Sequence, residues 1–169
     1  MIKKATLLLL SLCFISFISC SDDDNETDNP NDGPNNGGTG TADVSFSGEL
    51  SKTLGDYATW EITDDQTLRI RVGDQFPDNI VMNYSLNSDA VEDFQADTYQ
   101  AVNAIGTGYG PDTMAFQYNN DNTYFPDSGT ITITSINGNT IEGEINVTMR
   151  PVNGQATTDV TGTFTAEPR

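Results

Sequence analysis

The chain has 169 residues, with 25 acidic against seven basic side chains and a formal net charge of −18. Such a chain repels nucleic acid and anionic surfaces, which excludes nucleic-acid partners. Histidine is absent, so there is no Ser-His-Asp triad, no imidazole base and no imidazole metal ligand.

At the N-terminus Lys3 and Lys4 precede the apolar stretch Ala5 to Ile18, and small Ser19 stands before Cys20. A spanning helix needs roughly 20 apolar residues, and this run is shorter. Basic, apolar and small segments in that order make a secretory signal over residues 1–19.

The segment Phe17-Ile18-Ser19-Cys20 resembles a bacterial lipobox. The resemblance implies that Cys20 is the first mature residue and carries a diacylglyceryl thioether and an N-acyl chain. Each buried CH₂ of such chains contributes about 0.8 kcal/mol, and more than one chain makes attachment stable. Ser21, Asp22, Asp23 and Asp24 resemble the acidic export signal of Bacteroidota-type surface lipoproteins. That likeness implies the outer leaflet of the outer membrane as the address, with the membrane as a partner through the lipid. The plainer reading is that Asp22 to Asp24 only begin a soluble tether.

Cleavage before Cys20 leaves five bases against all 25 acids, a formal −20. Both cysteines, Cys13 and Cys20, lie in the signal region, so no disulfide is available and Cys-His or zinc-thiolate chemistry has no ligand. No cofactor is expected. Residues 20–42 hold no apolar side chain larger than alanine and read as the acylated cysteine plus a disordered acidic tether. Its r.m.s. reach is roughly 25 Å on Gly-rich scaling. Asp28 and Asp32 stand at positions 1 and 5 of an EF-hand-like spacing with Gly33 at 6. Pro30 at position 3 and Thr39 at position 12 cannot supply the ligands the loop requires, so no metal site is expected.

From Asp43 the apolar residues alternate. Val44, Phe46 and Leu50 come first; then Ala58, Trp60 and Ile62; then Leu68, Ile70 and Val72; then Ile80, Met82, Tyr84 and Leu86. Met114, Phe116 and Tyr118 follow, then Ile131 and Ile133, then Ile141, Ile145, Val147 and Met149, then Val160 and Phe164. This period of two marks antiparallel strands with one face in a core and one in water. Asn137-Gly138 punctuates a hairpin, and Thr63-Asp64-Asp65-Gln66 and Val152-Asn153-Gly154-Gln155 punctuate others. Only Ser88 to Phe94 suits a helical turn. The expected fold is all-β: one domain over residues 43–169, an antiparallel β-sandwich or small meander barrel of about eight or nine strands, open to a lipocalin-like form. Its expected interior is Phe46, Trp60, Ile70, Ile80, Met82, Phe116, Ile131, Ile133, Ile145, Val147 and Phe164.

The stretch Gly129-Thr-Ile-Thr-Ile-Thr-Ser-Ile-Asn-Gly, continued by Ile141-Glu-Gly-Glu-Ile and by Val160-Thr-Gly-Thr-Phe-Thr, looks like a domain family of unknown function in Bacteroidota-type lipoproteins. The likeness implies a fold class and an address and no activity.

The irregular part of the domain runs from Tyr99 to Tyr124. Tyr109 in the loop 103–112, and Tyr124 and Phe125 in a polar, aromatic loop 119–129, form a candidate platform for stacking on sugar rings. The competing reading folds Tyr124 and Phe125 under their own loop. Gly106-Thr-Gly-Tyr-Gly110 lacks the spacing, base and helix of a phosphate cradle. Glu49, Glu61, Glu142 and Glu144 lie on strands, but paired carboxylates are inevitable in so acidic a chain, so no catalytic residue is assigned. The expected function is a non-catalytic binding or accessory module at the outer-membrane surface, with a glycan or envelope protein as partner. A carboxylate-pair hydrolase and a lipocalin-like carrier are the alternatives.

Overall fold

The computed structural model describes residues 40–55, 57–73, 78–87, 91–103 and 110–169. Cys20, Ser21, Asp22, Asp23, Asp24 and Tyr109 lie outside the described residues. Ten strands follow one another: β1 (Thr41–Gly48), β2 (Lys52–Gly55), β3 (Ala58–Thr63), β4 (Thr67–Val72), β5 (Asn79–Ser85), β6 (Thr98–Asn103), β7 (Thr113–Asn119), β8 (Thr123–Asn137), β9 (Thr140–Pro151) and β10 (Thr158–Pro168). A 3-10 turn, Val91–Asp93, falls within the segment expected to turn.

The fold is a closed eight-stranded β-barrel of β3 to β10, with the β1–β2 hairpin added. Hydrogen bonding runs β3-β4-β5-β7-β6-β8-β9-β10, and β10 returns to β3. The ladders are antiparallel except for β6–β7 and β10–β3, which are parallel. One edge of β10 pairs with β9 from Thr158 to Ala166. Its other edge is shared: β1 pairs from Thr158 to Thr165, and β3 takes only Glu167 and Pro168. The hairpin therefore covers the length of β10 that β3 leaves open.

The expected alternation sets the core. Leu68, Ile70 and Val72 on β4, Ile80 and Met82 on β5, and Met114, Phe116 and Tyr118 on β7 point inward and are at most 1 % exposed. Ile131 and Ile133 on β8, Ile145, Val147 and Met149 on β9, and Phe164 on β10 meet them, all buried. Burying each such side chain stabilises the fold by about 1.5–3 kcal/mol. Trp60 differs from the expected interior set. It is only partly buried, and its Nε1–H donates to the carbonyl of Asn139 at 2.7 Å. The β8–β9 hairpin turns on two residues, with Gly138 at φ 60° in the first central place, which a type II′ turn reserves for glycine.

Two sequence readings need correction. Tyr124 and Phe125 lie on a strand and not in a loop, since β8 starts at Thr123. Pro126 and Gly129 hid that strand, and a β-bulge between Pro126 and Ser128 accommodates the proline. β2 and β6 also carry too few apolar residues to announce themselves.

Candidate functional site

The candidate site is built around the turn that joins β9 to β10. Register pairs Tyr124 with Pro151 and Phe125 with Arg150, so these two aromatics face opposite sides of the sheet. Tyr124 turns inward and is 4 % exposed; Phe125 turns outward and is partly buried. The bulge places Asp127 where its carboxylate accepts from Arg150 Nη2 at 3.1 Å. Both partners are about half exposed, so the pair contributes about 0–1 kcal/mol and chiefly orients the guanidinium.

Beyond Pro151 the turn is tied down by two backbone bonds. Val152 N–H donates to the Thr123 carbonyl at 3.1 Å, and Gly154 N–H to the Pro151 carbonyl at 3.2 Å. These bonds hold Val152 outward at 59 % exposure, and it is the large apolar side chain most open to solvent among the described residues. A cleft of about 480 Å³ lies on one side, walled by Phe125, Pro126 and Val152 and edged by Asn103, Arg150 and Gln155. A smaller cleft of about 240 Å³ lies on the other side, with Glu49, Asn122, Tyr124 and Asn153 around Val152. Burial pushes the Tyr124 hydroxyl above its ordinary pKa, and the charge of Glu49 adds to the rise.

The rim rests on a buried aromatic support. Tyr118 packs its ring against Tyr124 with centroids 5.6 Å apart and against Phe46 at 4.8 Å. Its hydroxyl donates to Asp78, whose carboxylate also takes the ammonium of Lys52 on β2. Burial alone raises the Asp78 pKa, but the hydrogen bonds from Lys52 and Tyr118 and the Lys52 charge outweigh it and hold the carboxyl below its ordinary value. Burial, aided by Asp78, drives Tyr118 far above the ordinary phenol range. At the other end of the barrel Tyr84, Phe94 and Tyr99 pack together with centroids 4.9–5.4 Å apart, and Tyr99 donates to the Gln95 carbonyl at 2.7 Å.

Of the three aromatics expected to form a platform, the structure places Phe125 at the cleft and turns the Tyr124 ring into the core. The sequence reading missed Val152, Arg150, Pro126, Gln155 and Asn103. An apolar valine inside an Asn-Gly turn was the one signal that pointed to this rim. Glu61 is held by Arg69, Arg71 and Arg169, while Glu142 and Glu144 stand on the outward face of β9. Asp65 and Asp78 are both held below the usual carboxylate range, the opposite of what a general acid requires. Among the described residues no group of three or more Cys, Asp or Glu is arranged to hold a metal ion.

No family model, no curated protein and no solved structure matches the chain.

Proposed function

We propose that the protein is a lipid-anchored cell-envelope module that binds a glycan in the Phe125–Val152 cleft without chemical turnover. The observation that carries this reading is the cleft itself. Phe125, Pro126 and Val152 line it together with the polar residues Asn103, Gln155 and Arg150. A sugar ring has an apolar face and a rim of hydroxyls, and it needs that pairing of surfaces. A neutral glycan suits the strongly acidic surface better than a polyanion does.

The anchor follows from Cys20 and the acidic run after it. Residue 40 lies against Thr165 and Glu167 near the end of β10, and Gln155 precedes the start of that strand. From Thr158 to Thr165 the strand covers roughly 23 Å. The cleft therefore does not abut the place where the described chain begins.

A lipocalin-like carrier is the second reading, and barrel closure favours it. Against it stand Phe46, Phe116 and Tyr118, at most 3 % exposed, which occupy the inward face. A glycan screen with the full chain and its Phe125→Ala variant tests the first reading. A glycan retained by the parent and lost by the variant supports it. Retention of an apolar dye with no glycan retained supports the carrier. For the anchor, Cys20→Ala should yield an uncleaved or released form, and a cleaved variant still held in the membrane would overturn that part.

A further inference from the structure

Val152 has a cleft on each flank. The larger measures about 480 Å³ and the smaller about 240 Å³. Pro151, Val152 and Gly154 line both, so the two clefts adjoin along the β9–β10 turn. Small-molecule sites usually measure about 300–1,000 Å³. The larger cleft falls in that range and the smaller falls short of it, so the smaller extends a neighbouring site and does not stand alone. Val152 is 59 % exposed, and only a ligand that reaches both clefts covers it on both flanks.

The extension is polar and preformed. Glu49, Asn122 and Asn153 reach it from three separate segments: the chain just after β1, the β7–β8 turn and the β9–β10 turn. A backbone N–H anchors each segment. Glu49 N–H donates to the Thr157 carbonyl at 3.1 Å, Asn122 N–H to Asn120 Oδ1 at 2.7 Å, and Val152 N–H to the Thr123 carbonyl at 3.1 Å. The three side chains are exposed. Among the described residues no hydrogen bond or ion pair engages the Glu49 carboxylate or the amides of Asn122 and Asn153. A carboxylate accepts from hydroxyls, and an amide both donates and accepts, which is what the rim of a sugar ring requires. No base lines the smaller cleft, so the charge of Glu49 disfavours an acidic sugar there.

We propose that the ligand is an oligosaccharide laid across Val152, with one sugar in the larger cleft beside Phe125 and the next, uncharged, sugar held by Glu49, Asn122 and Asn153 in the smaller. This second subsite rests on the reading of the larger cleft as a glycan site.

The test measures binding of glucose, mannose, galactose and N-acetylglucosamine to the full chain, each offered as monosaccharide, disaccharide and trisaccharide. For a sugar that binds, the disaccharide should bind about tenfold or more tightly than the monosaccharide. Glu49→Ala and Asn122→Ala change exposed side chains outside the core. Each should cut that gain about threefold, as loss of one hydrogen bond does, and the double variant should abolish it. Phe125→Ala should weaken every length. A monosaccharide that binds as tightly as its disaccharide, or a length gain that the double variant keeps, overturns the second subsite and leaves the larger cleft's reading standing. A digalacturonate bound more tightly than a neutral galactose disaccharide overturns the uncharged subsite as well. Absence of binding at every length overturns the glycan reading itself, and the second subsite with it.

Discussion

Tyr118, with its side chain wholly inside the barrel, donates its hydroxyl to Asp78, the residue that also binds Lys52 of the edge strand β2. The contact ties β2, whose backbone ladder is to β1, to Asp78 just before β5. It also braces Tyr124 from below, on the far side of the sheet from Phe125.

Removing that hydroxyl isolates the contribution of the contact. Tyr118→Phe should lower stability by about 1–2 kcal/mol, the range for a hydrogen bond to a charged group that water partly replaces. In urea the midpoint should fall with the slope unchanged. A midpoint equal to that of the parent would show that the bond contributes nothing.

The same contact sets a pH dependence. The folded pKa of Asp78 lies below its ordinary 3.8. The unfolded chain therefore takes up this proton first as pH falls. The stability gained from Asp78 is complete above about pH 4 and is lost as pH drops through the lowered folded value. Tyr99 gives the opposite sign at the basic end, since burial and then the neighbouring Tyr84 raise it to about 12. Its share of stability is complete below its ordinary 10 and is lost as pH rises from there towards 12. Unfolding followed between pH 2 and 6 should show a shallower acid loss in Asp78→Asn than in the parent; parallel curves would count against the Asp78 assignment.

Gln66 occupies the left-handed region at φ 59° in the β3–β4 turn, a place that suits glycine. Gln66→Gly should raise stability by about 0.5–1 kcal/mol, because a side chain there is strained. Thermal melts of the two chains check this, and a lower melting temperature in the variant would refute it.

Gly143 faces the ring of Phe164 across the β9–β10 ladder. A methyl group there would sit 2.6 Å from Phe164 Cζ and 2.8 Å from the Thr132 carbonyl oxygen. The ring can shift, but the backbone oxygen cannot without moving β8. Gly143→Ala should therefore cost about 2–3 kcal/mol, as overpacking does. Chemical denaturation would contradict this if the variant matched the parent.

Much of the fold was legible in the sequence because period-two runs such as Leu68-Arg69-Ile70-Arg71-Val72 state which face is wet. The same run puts Arg69 and Arg71 on one face, and the structure pairs both with Glu61. Closure was not legible. It depends on the two-residue pairing of Glu167 and Pro168 with β3, and alternation reads alike in a sandwich and a barrel. The rim was less legible still. Val152 and Arg150 meet Phe125 only because the β8 bulge and the bond from Val152 to Thr123 fold two distant segments together. Nothing local to any of these residues encodes that meeting.

The most direct test of the central claim is a quantitative glycan-binding measurement on the full chain, Phe125→Ala and Val152→Asp. Phe125 and Val152 line the cleft from outside the core, so both variants should melt within a few degrees of the parent. The account predicts a glycan bound by the parent and weakened at least tenfold, about 1.4 kcal/mol, in each variant. A glycan held equally by all three chains would place the binding surface elsewhere and contradict it.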